Sequence, residues 1–548
     1  MSLSAPSSSS ENFTHDEIVA ALTRRWPEHR VAPSLGRIVA LTELLGDPHR
    51  AYPVIHVSGT NGKGSTAAMI DALLRACGLR TGRFSSPHVM SVTERITVDG
   101  ESITEDRFDE IVREIEPYIE LVDARQIDGV AMTFFEIITA MAYAAFADAP
   151  VDVAIVEVGM GGTWDATNVA DGGVAVITPI DIDHTHLLGS TVAEIAAEKA
   201  GIIKPGAQAI LAGQPIEAAQ VLLERCAEVG ALVQREGIEF GVLDRVPAVG
   251  GQLLRLNASE GPVSDILLPL YGLHQAANAA QALAAAEAFL GMKAINPDLV
   301  REGFATVTAP GRLEVVRRSP TVVLDAAHNP HGARAASAAV IEAFAFNPLV
   351  GVLGVMADKD ARGILEVWAE VMQSVVVTQV ASTSRGMPAT DLGELAAEYF
   401  GAERVEVVPR LDDAIERAMT LAETDTAGGA GVLITGSVVL VGEARTLLVI
   451  DRSAEEDPEA DNSPVDGRQL LDADPDDDWS PAGSVDQTEV IDEFLTGESL
   501  EGEAPAPDPF DDDDPFADNG FADNGFDDNG FDDSGDTDVD PGERDHDR

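Results

Sequence analysis

The sequence predicts an α/β protein with a large N-terminal domain built on a parallel sheet and carrying a phosphate-binding loop. A smaller, Rossmann-like α/β domain and a disordered acidic tail follow. Three observations carry this reading. Apolar runs of strand length alternate with amphipathic or Ala-rich stretches from about residue 15 to 305, the pattern of a parallel sheet covered on both faces. The alternation restarts after "TAPGRLEVV" (308–316). Beyond "LLVI" (447–450) Asp, Pro, Gly and Ser dominate. The resulting divisions are a disordered leader (1–14), the phosphate-loop domain (15–308), a second domain (309–450) and the tail (451–548).

Taken in order, the strands expected in the first domain are "PVIHVS" (53–58), "VDVAIVEV" (151–158), "GVAVITPI" (173–180) and "AQAILA" (207–212). Helices are expected over 65–77, 104–118, 131–147, 191–200, 216–230 and 274–290, and antiparallel strands within 238–270, where the helix signal weakens. Pro310 and Gly311 mark a hinge. The second domain has strands at 321–327, 348–355, 374–380, 405–408 and 431–436.

Of the net charge of −58, −32 belongs to residues 451–548, which hold 36 acidic and 4 basic residues. An acidic body with a still more acidic tail argues against nucleic-acid binding. The tail contains the five-residue repeat "FADNGFADNGFDDNGFDDSG" (516–535); it cannot bury enough apolar surface to fold alone, and its spaced phenylalanines leave room for an unknown partner. Cys77 and Cys226 read as reduced thiols. The N-terminus lacks a signal-peptide pattern and no apolar run reaches the roughly 20 residues of a membrane span. A cytoplasmic, monomeric protein is expected.

The chemistry collects at strand ends. "GTNGKGST" (59–66) lies between a strand and a helix. There the backbone N–H groups of Gly62, Lys63, Gly64 and Ser65 can face an anion and Lys63 can neutralise phosphate charge; the alternative is an ordinary glycine turn. Its lysine is followed by glycine before serine, unlike the usual G-x-x-x-x-G-K-[ST] order. In "FSSPHVMSVTERI" (84–96), Ser86 becomes a metal ligand only if it returns to that loop, and Arg95 is equally well a surface cation. "VDVAIVEVGMGGTWDATN" (151–168) puts Glu157 at the carboxyl edge of the sheet, suited to a hard cation, with Asp165 available to a polar substrate group. "TPIDIDHTHLLGST" (178–191) adds Asp181, Asp183, His184 and His186, with His184 the favoured ligand and His186 a bystander. Lys199, on an Ala-rich helix, reads by itself as a snorkelling lysine, although a desolvated amine there could react with CO₂. His274 and Asn278 open a later helix, Arg312 sits at the hinge, and Asp325, His328 and Asn329 follow a strand of the second domain. Lys359 and Ser437 are further strand-end candidates.

In order along residues 33–446, "GTNGKGS", "SSPH", "TERI", "TFFE", "EVGMGG", "DATN", "DHTHLLG", "EKAGI", "HQAANA", "PGRLE", "DAAHNPHG" and "TGSVVLVGEAR" resemble the folylpolyglutamate synthase/dihydrofolate synthase family of Mur-ligase-like enzymes. The resemblance implies ATP held by Gly62, Lys63, Gly64, Ser65, Asn278, Arg312 and Asp325. It implies Mg²⁺ on Ser86, Glu157, His184 and Lys199, the last carbamylated and so carboxylate-like, which overturns the snorkel reading. Thr133, Phe134, Phe135 and Glu136, with Trp164, Asp165 and Ala166, match the pterin-side pocket. Arg95, His328 and Ser437 are candidates for the incoming glutamate. Lys63, Glu157, His184, Lys199 and His328 make up the implied catalytic set. The substrates implied are ATP, L-glutamate, and dihydropteroate or a reduced folate. Several relatives carry Arg and Leu where this chain has Thr163 and Trp164, which puts the acceptor preference in question. The rival readings are a peptidoglycan Mur ligase, for which only 58 residues precede Gly59, and a non-catalytic scaffold working through the tail. A GTPase or kinase ranks below both.

Overall fold

Alternate residues of "VIHVS" point to opposite faces of a sheet, and both faces are covered. Ile55 and Val57 enter one core with Met69, Ile70, Leu73 and Leu283, while Val54 enters another with Phe84, Ile137 and Met141. This strand, β1 (Val54–Ser58), is buried throughout. In the computed structural model, which describes residues 13–25, 32–423 and 429–450, it lies near the middle of an eight-stranded sheet. The others are β2 (Thr81–Phe84), β3 (Ile96–Val98), β4 (Glu101–Ser102), β5 (Val153–Glu157), β6 (Gly172–Ile177), β7 (Gln208–Leu211) and β8 (Leu232–Arg235). Their spatial order is β4-β3-β2-β5-β1-β6-β7-β8. From β2 to β8 every pair is parallel; β3 and β4 add an antiparallel edge.

The Ala-rich helix Leu273–Phe289 is buried on nearly every side. Its small side chains let it pack closely on the helix Lys63–Ala76, so the segment after the phosphate loop is held from behind. An antiparallel meander, β9 (Gly241–Ala248), β10 (Gly251–Ala258) and β11 (Gly261–Leu268), occupies the stretch where helix signal was weak.

The second lobe is a six-stranded sheet. It comprises β12 (Glu314–Arg318), β13 (Thr321–Asp325), β14 (Leu349–Leu353), β15 (Ser374–Val377), β16 (Val405–Val407) and β17 (Gly431–Thr435), in the order β12-β13-β17-β14-β15-β16. All pairs but β12–β13 are parallel.

Every strand and helix expected from the sequence is present. The helix expected over 104–118 instead runs from Glu105 to Ala124 with Pro117 inside it, because Ile115, Ile119 and Val122 keep its apolar face on the core. The leader through residue 12 and the tail from 451 lie outside the described residues. No helix among the described residues is long and apolar enough to cross a membrane.

The two lobes touch where the Val89–Met90 loop meets the helix Val438–Arg445. A Cβ at Gly442 would stand 2.0 Å from the Val89 carbonyl oxygen. Gly442→Ala must therefore push loop and helix apart; the expected cost is about 1–3 kcal/mol, read as a lower Tm together with reduced turnover. An unchanged Tm and rate would show that this contact is not tight in solution.

Candidate active site

Loops leave the carboxyl ends of β1, β5 and β6 side by side, and β1 lies between the other two. Ligands bind at such places in parallel sheets. After β1, Gly62 adopts φ +90°, and a Cβ there would meet Asn278 Oδ1 at 2.8 Å, so only glycine fits. The helix then starts at Lys63 with no side-chain cap on its first N–H groups, the arrangement that welcomes an anion. Lys63 Nζ donates to the Gly59 and Thr60 carbonyls, each at 3.2 Å. Ser65 is buried and lies 3.4 Å from the Gln275 amide. Burial lowers the Lys63 pKa, against the pull of Glu157 and Asp183.

Glu157 ends β5, buried, and accepts the Ser86 N–H at 3.2 Å. Burial raises its pKa, opposed by Lys63. After β6 the chain turns at His184, φ +51°. The imidazole is neutral at physiological pH, its pKa lowered by burial to about 3. Lys199 is buried too, and its Nζ donates to the Gly59 carbonyl at 2.7 Å. Burial, reinforced by Lys63, lowers its pKa to about 7. The snorkel reading thus fails: the amine points into the protein beneath the phosphate loop.

The second lobe closes the cleft. Asp325 is buried at the end of β13 and accepts N–H groups of Leu313 (3.1 Å) and Ala327 (2.9 Å), fixing the hinge that carries Arg312. His328 and His274 are neutral, each lowered by burial to about 4. With His184, His274 and His328 neutral, the lysines and Arg312 supply the positive charge beside them.

Asp183 joins the lobes. It accepts Lys359 Nζ at 2.6 Å and Asn329 Nδ2 at 3.2 Å, and Asn329 also donates to Asn61 of the phosphate loop at 3.1 Å. Burial alone would raise its pKa, but His184 and Lys359 hold it well below the usual carboxylate range. No role for Asp183 follows from the sequence alone. Asn61, Gln275 and Arg37 were missed, because the partners that place them here, Asn329, Ser65 and Glu136, lie 268, 210 and 99 residues away along the chain.

Lys63, Ser65, Glu157, Lys199, Asn278, Arg312 and Asp325 all line this cleft. A second pocket adjoins it, walled by Thr133, Phe135, Trp164, Asp165, Ala166 and Ser437. Ser86, Pro87, Gly159, Met160, His184, His328 and Val438 line both. His186, expected to be a bystander, also lines the second pocket. Ser437 caps the helix Val438–Arg445.

One expectation needs correcting, and two pocket residues already have partners within the protein. Arg95 is not a surface cation: it is buried, donates to His88 at 2.8 Å and lies over the Phe134 ring, and neither Arg95 nor Phe134 lines the cleft or the pocket. Glu136 does line the pocket, but its carboxylate accepts the Arg37 guanidinium at 3.0 Å and the Thr133 N–H at 2.8 Å. Asp165 likewise engages both oxygens within its own loop, accepting Met160 N–H at 2.9 Å and Thr167 N–H at 3.0 Å.

The donor set fits a magnesium ion that keeps waters and substrate phosphates in its shell. Mg²⁺ sites of this kind use one or two carboxylates, and Glu157 Oε2 stands 3.4 Å from where a Cβ of Gly64 would lie, facing the loop. No group of three His, Cys, Asp or Glu side chains among the described residues could cage a metal unaided.

Residues 57–286 match the Mur ligase middle domain, and residues 311–438 the Mur ligase glutamate ligase domain. The dihydrofolate synthase/folylpolyglutamate synthase of Mycobacterium tuberculosis is 50% identical over 79% of this chain and 95% of its own length. The Escherichia coli enzyme of the same name is 34% identical over 76% of this chain and 91% of its own. Among solved structures, Mycobacterium tuberculosis folylpolyglutamate synthase complexed with ADP superimposes with a TM-score of 0.77, at 50% identity, covering 79% of this chain and 98% of that one. An FPGS–AMPPCP–folate complex gives 0.70 at 32% identity, covering 80% and 100%. With its phosphate loop, its two α/β lobes and these matches, the chain belongs to the dihydrofolate synthase/folylpolyglutamate synthase family of Mur-type ATP-dependent ligases.

Proposed function

We propose that the chain joins L-glutamate to dihydropteroate, to reduced folate (poly)glutamates, or to both, through an acyl phosphate. The observation that carries this is the junction of the two pockets: the phosphate cleft and the aromatic-walled pocket meet at Ser86, His184 and His328. The names of the relatives, and the nucleotide and folate bound in the solved structures, support the same assignment.

In this reading the loop from Gly62 to Ser65 grips the ATP phosphates, while Asn278, Arg312 and Asp325 hold the nucleotide from the helix, the hinge and the second lobe. Thr133, Phe135, Trp164 and Ala166 wall the bicyclic end of the acceptor, which points its carboxylate at the junction. That carboxylate attacks the γ-phosphorus and ADP leaves. The glutamate α-amine, offered from the His328 and Ser437 side, then attacks the acyl carbon and expels phosphate. Lys63 balances charge as the anions approach, and the closed lobes exclude water that would hydrolyse the acyl phosphate. Ser86, Glu157 and His184 would hold Mg²⁺, which when bound supplies charge neutralisation to the phosphates. The lobe boundary is proposed at residues 308/309, and the enzyme as a cytoplasmic monomer.

ADP release with ATP, Mg²⁺ and L-glutamate tests the assignment, comparing dihydropteroate with a reduced folate monoglutamate. Turnover with neither would sink it. Turnover with the folate alone would reduce it to a polyglutamylating ligase and direct attention to Trp164.

Lys199 is proposed to carry a carbamate beside the metal ligands. Its amine is protonated and unreactive below pH 7 and increasingly free above it, so uptake of ¹³CO₂ should rise with pH through about 7 and vanish in Lys199→Ala. A ¹³C carbamate signal that persists in that variant would refute the assignment. Removal of residues 451–548 should leave kcat and KM within about twofold, since all residues of the cleft precede them. A large loss in the truncated enzyme would place part of the function in the tail.

A further inference from the structure

One buried histidine has no part in the chemistry above. His56, on β1, is wholly inaccessible to solvent, and burial lowers its pKa to about 3, so it is neutral. Its Nε2 lies 2.9 Å from Thr167 Oγ1. Thr167 Oγ1 lies 2.5 Å from Asp165 Oδ1. Burial raises the Asp165 pKa, opposed by the Thr167 hydroxyl and by the Met160 and Thr167 N–H groups. Both its oxygens accept N–H bonds, the pattern of a carboxylate, and the single hydroxyl proton of Thr167 is then directed to Asp165. The hydroxyl oxygen can then only accept from the imidazole, and Nε2 must carry the ring proton. Nδ1 is left as a bare lone pair, in keeping with its having no hydrogen-bond partner. The opposite tautomer would bury an unpaired N–H and break the chain of bonds at its first link.

From Asp165 the chain continues outward. Its other oxygen takes the Met160 N–H at 2.9 Å, and Met160, Trp164, Asp165 and Ala166 form one wall of the aromatic pocket. The Tyr143 hydroxyl braces the same turn through the Thr167 carbonyl at 2.7 Å. A loop of glycines, "GMGG", has little rigidity of its own, and this inner row of polar bonds supplies it.

We infer that His56 is a positioning residue for the acceptor substrate: through Thr167 and Asp165 it fixes the 159–166 wall against which the bicyclic end of the substrate packs. The inference rests on the pocket assignment made above. It predicts that the residue acts on acceptor binding and not on ATP, although β1 leads directly into the phosphate loop.

The test compares His56→Leu, which keeps the bulk but not the donor, with His56→Gln, whose amide nitrogen reaches the Nε2 position. His56→Leu should raise KM for dihydropteroate or the reduced folate tenfold or more, with KM for ATP changed less than twofold. His56→Gln should recover most of that loss. Equal rises in both KM values, or no difference between the two variants, would overturn the inference. A readout independent of turnover is the ¹⁵N spectrum of the histidine-labelled wild-type enzyme. His56 should show a protonated Nε2 and an unprotonated Nδ1, and Thr167→Val should shift the Nε2 signal. Observation of the Nδ1–H tautomer would overturn the relay whatever the substrate proves to be. Failure of the wild-type enzyme to use either pteridine substrate would count against the functional assignment and leave this spectroscopic test standing.

Discussion

Lys63→Ala is expected to lower turnover by about three orders of magnitude at saturating ATP while leaving the fold intact. A preorganised donor aimed at developing charge in a water-poor site contributes roughly 3–4 kcal/mol, and a full cation facing phosphate oxygens lies at the upper end of that range. The fold should hardly notice. Burial already lowers the Lys63 pKa, so removing the ammonium relieves a desolvation cost that offsets much of what is lost, namely two bonds to loop carbonyls and the attraction of Glu157 and Asp183. Stopped ADP-release assays and Tm together check this. A variant within tenfold of wild type would remove Lys63 from the centre of the mechanism, and one that unfolds would show it to be structural.

The second large effect is expected at Asp183. Breaking a buried ion pair from one side leaves an uncompensated charge, with a cost of about 3–5 kcal/mol. Asp183 and Lys359 are each only 11% exposed. Asp183→Asn and Lys359→Met should each cut kcat/KM by a hundredfold or more, because the lobes lose the bond that holds His184 opposite His328. The double variant should be no worse than the poorer single one. Strict additivity would mean that the two side chains act separately. The sign with pH follows from the direction of the shift. Asp183 is held below the ordinary carboxylate pKa of roughly 3.9. The stability it confers is complete above that value and is lost only as pH falls further, through the folded-state pKa. Protonation of Asp183 should thus not loosen the clamp above about pH 5, and lobe opening there would need another cause.

Much of this site was legible because its chemistry is local. A strand, a turn and the first residues of a helix announce a phosphate loop within a dozen positions, Glu157 and Asp325 each end an apolar run, and His184 lies in the polar loop after another. Residues whose meaning depends on a distant partner were not legible. Arg37 meets Glu136, and Asp183 meets Lys359, across separations that no periodicity encodes. Arg95 has the composition of a surface residue, yet it is buried with Phe134 over its guanidinium. Lys199 was misread from its own neighbourhood for the same reason: its alanines suggested an apolar stem reaching water, whereas the phosphate loop that receives it is 140 residues away.

β1 is five residues long. Its last residue hands the chain to the phosphate loop, and His56, in its middle, holds the wall of the acceptor pocket. The separation between nucleotide and acceptor is thereby set by two peptide units of a fully buried strand, which can neither stretch nor slip without turning its side chains into the wrong core. The strand works as a fixed gauge. On the function proposed above, an acceptor that already carries glutamate has a longer reach from ring to reacting carboxylate, so a fixed wall forces the added length to bow out of the direct line. Variation among acceptors must then be absorbed at the open, second-lobe end of the pocket, around Met356, Arg385 and Val439.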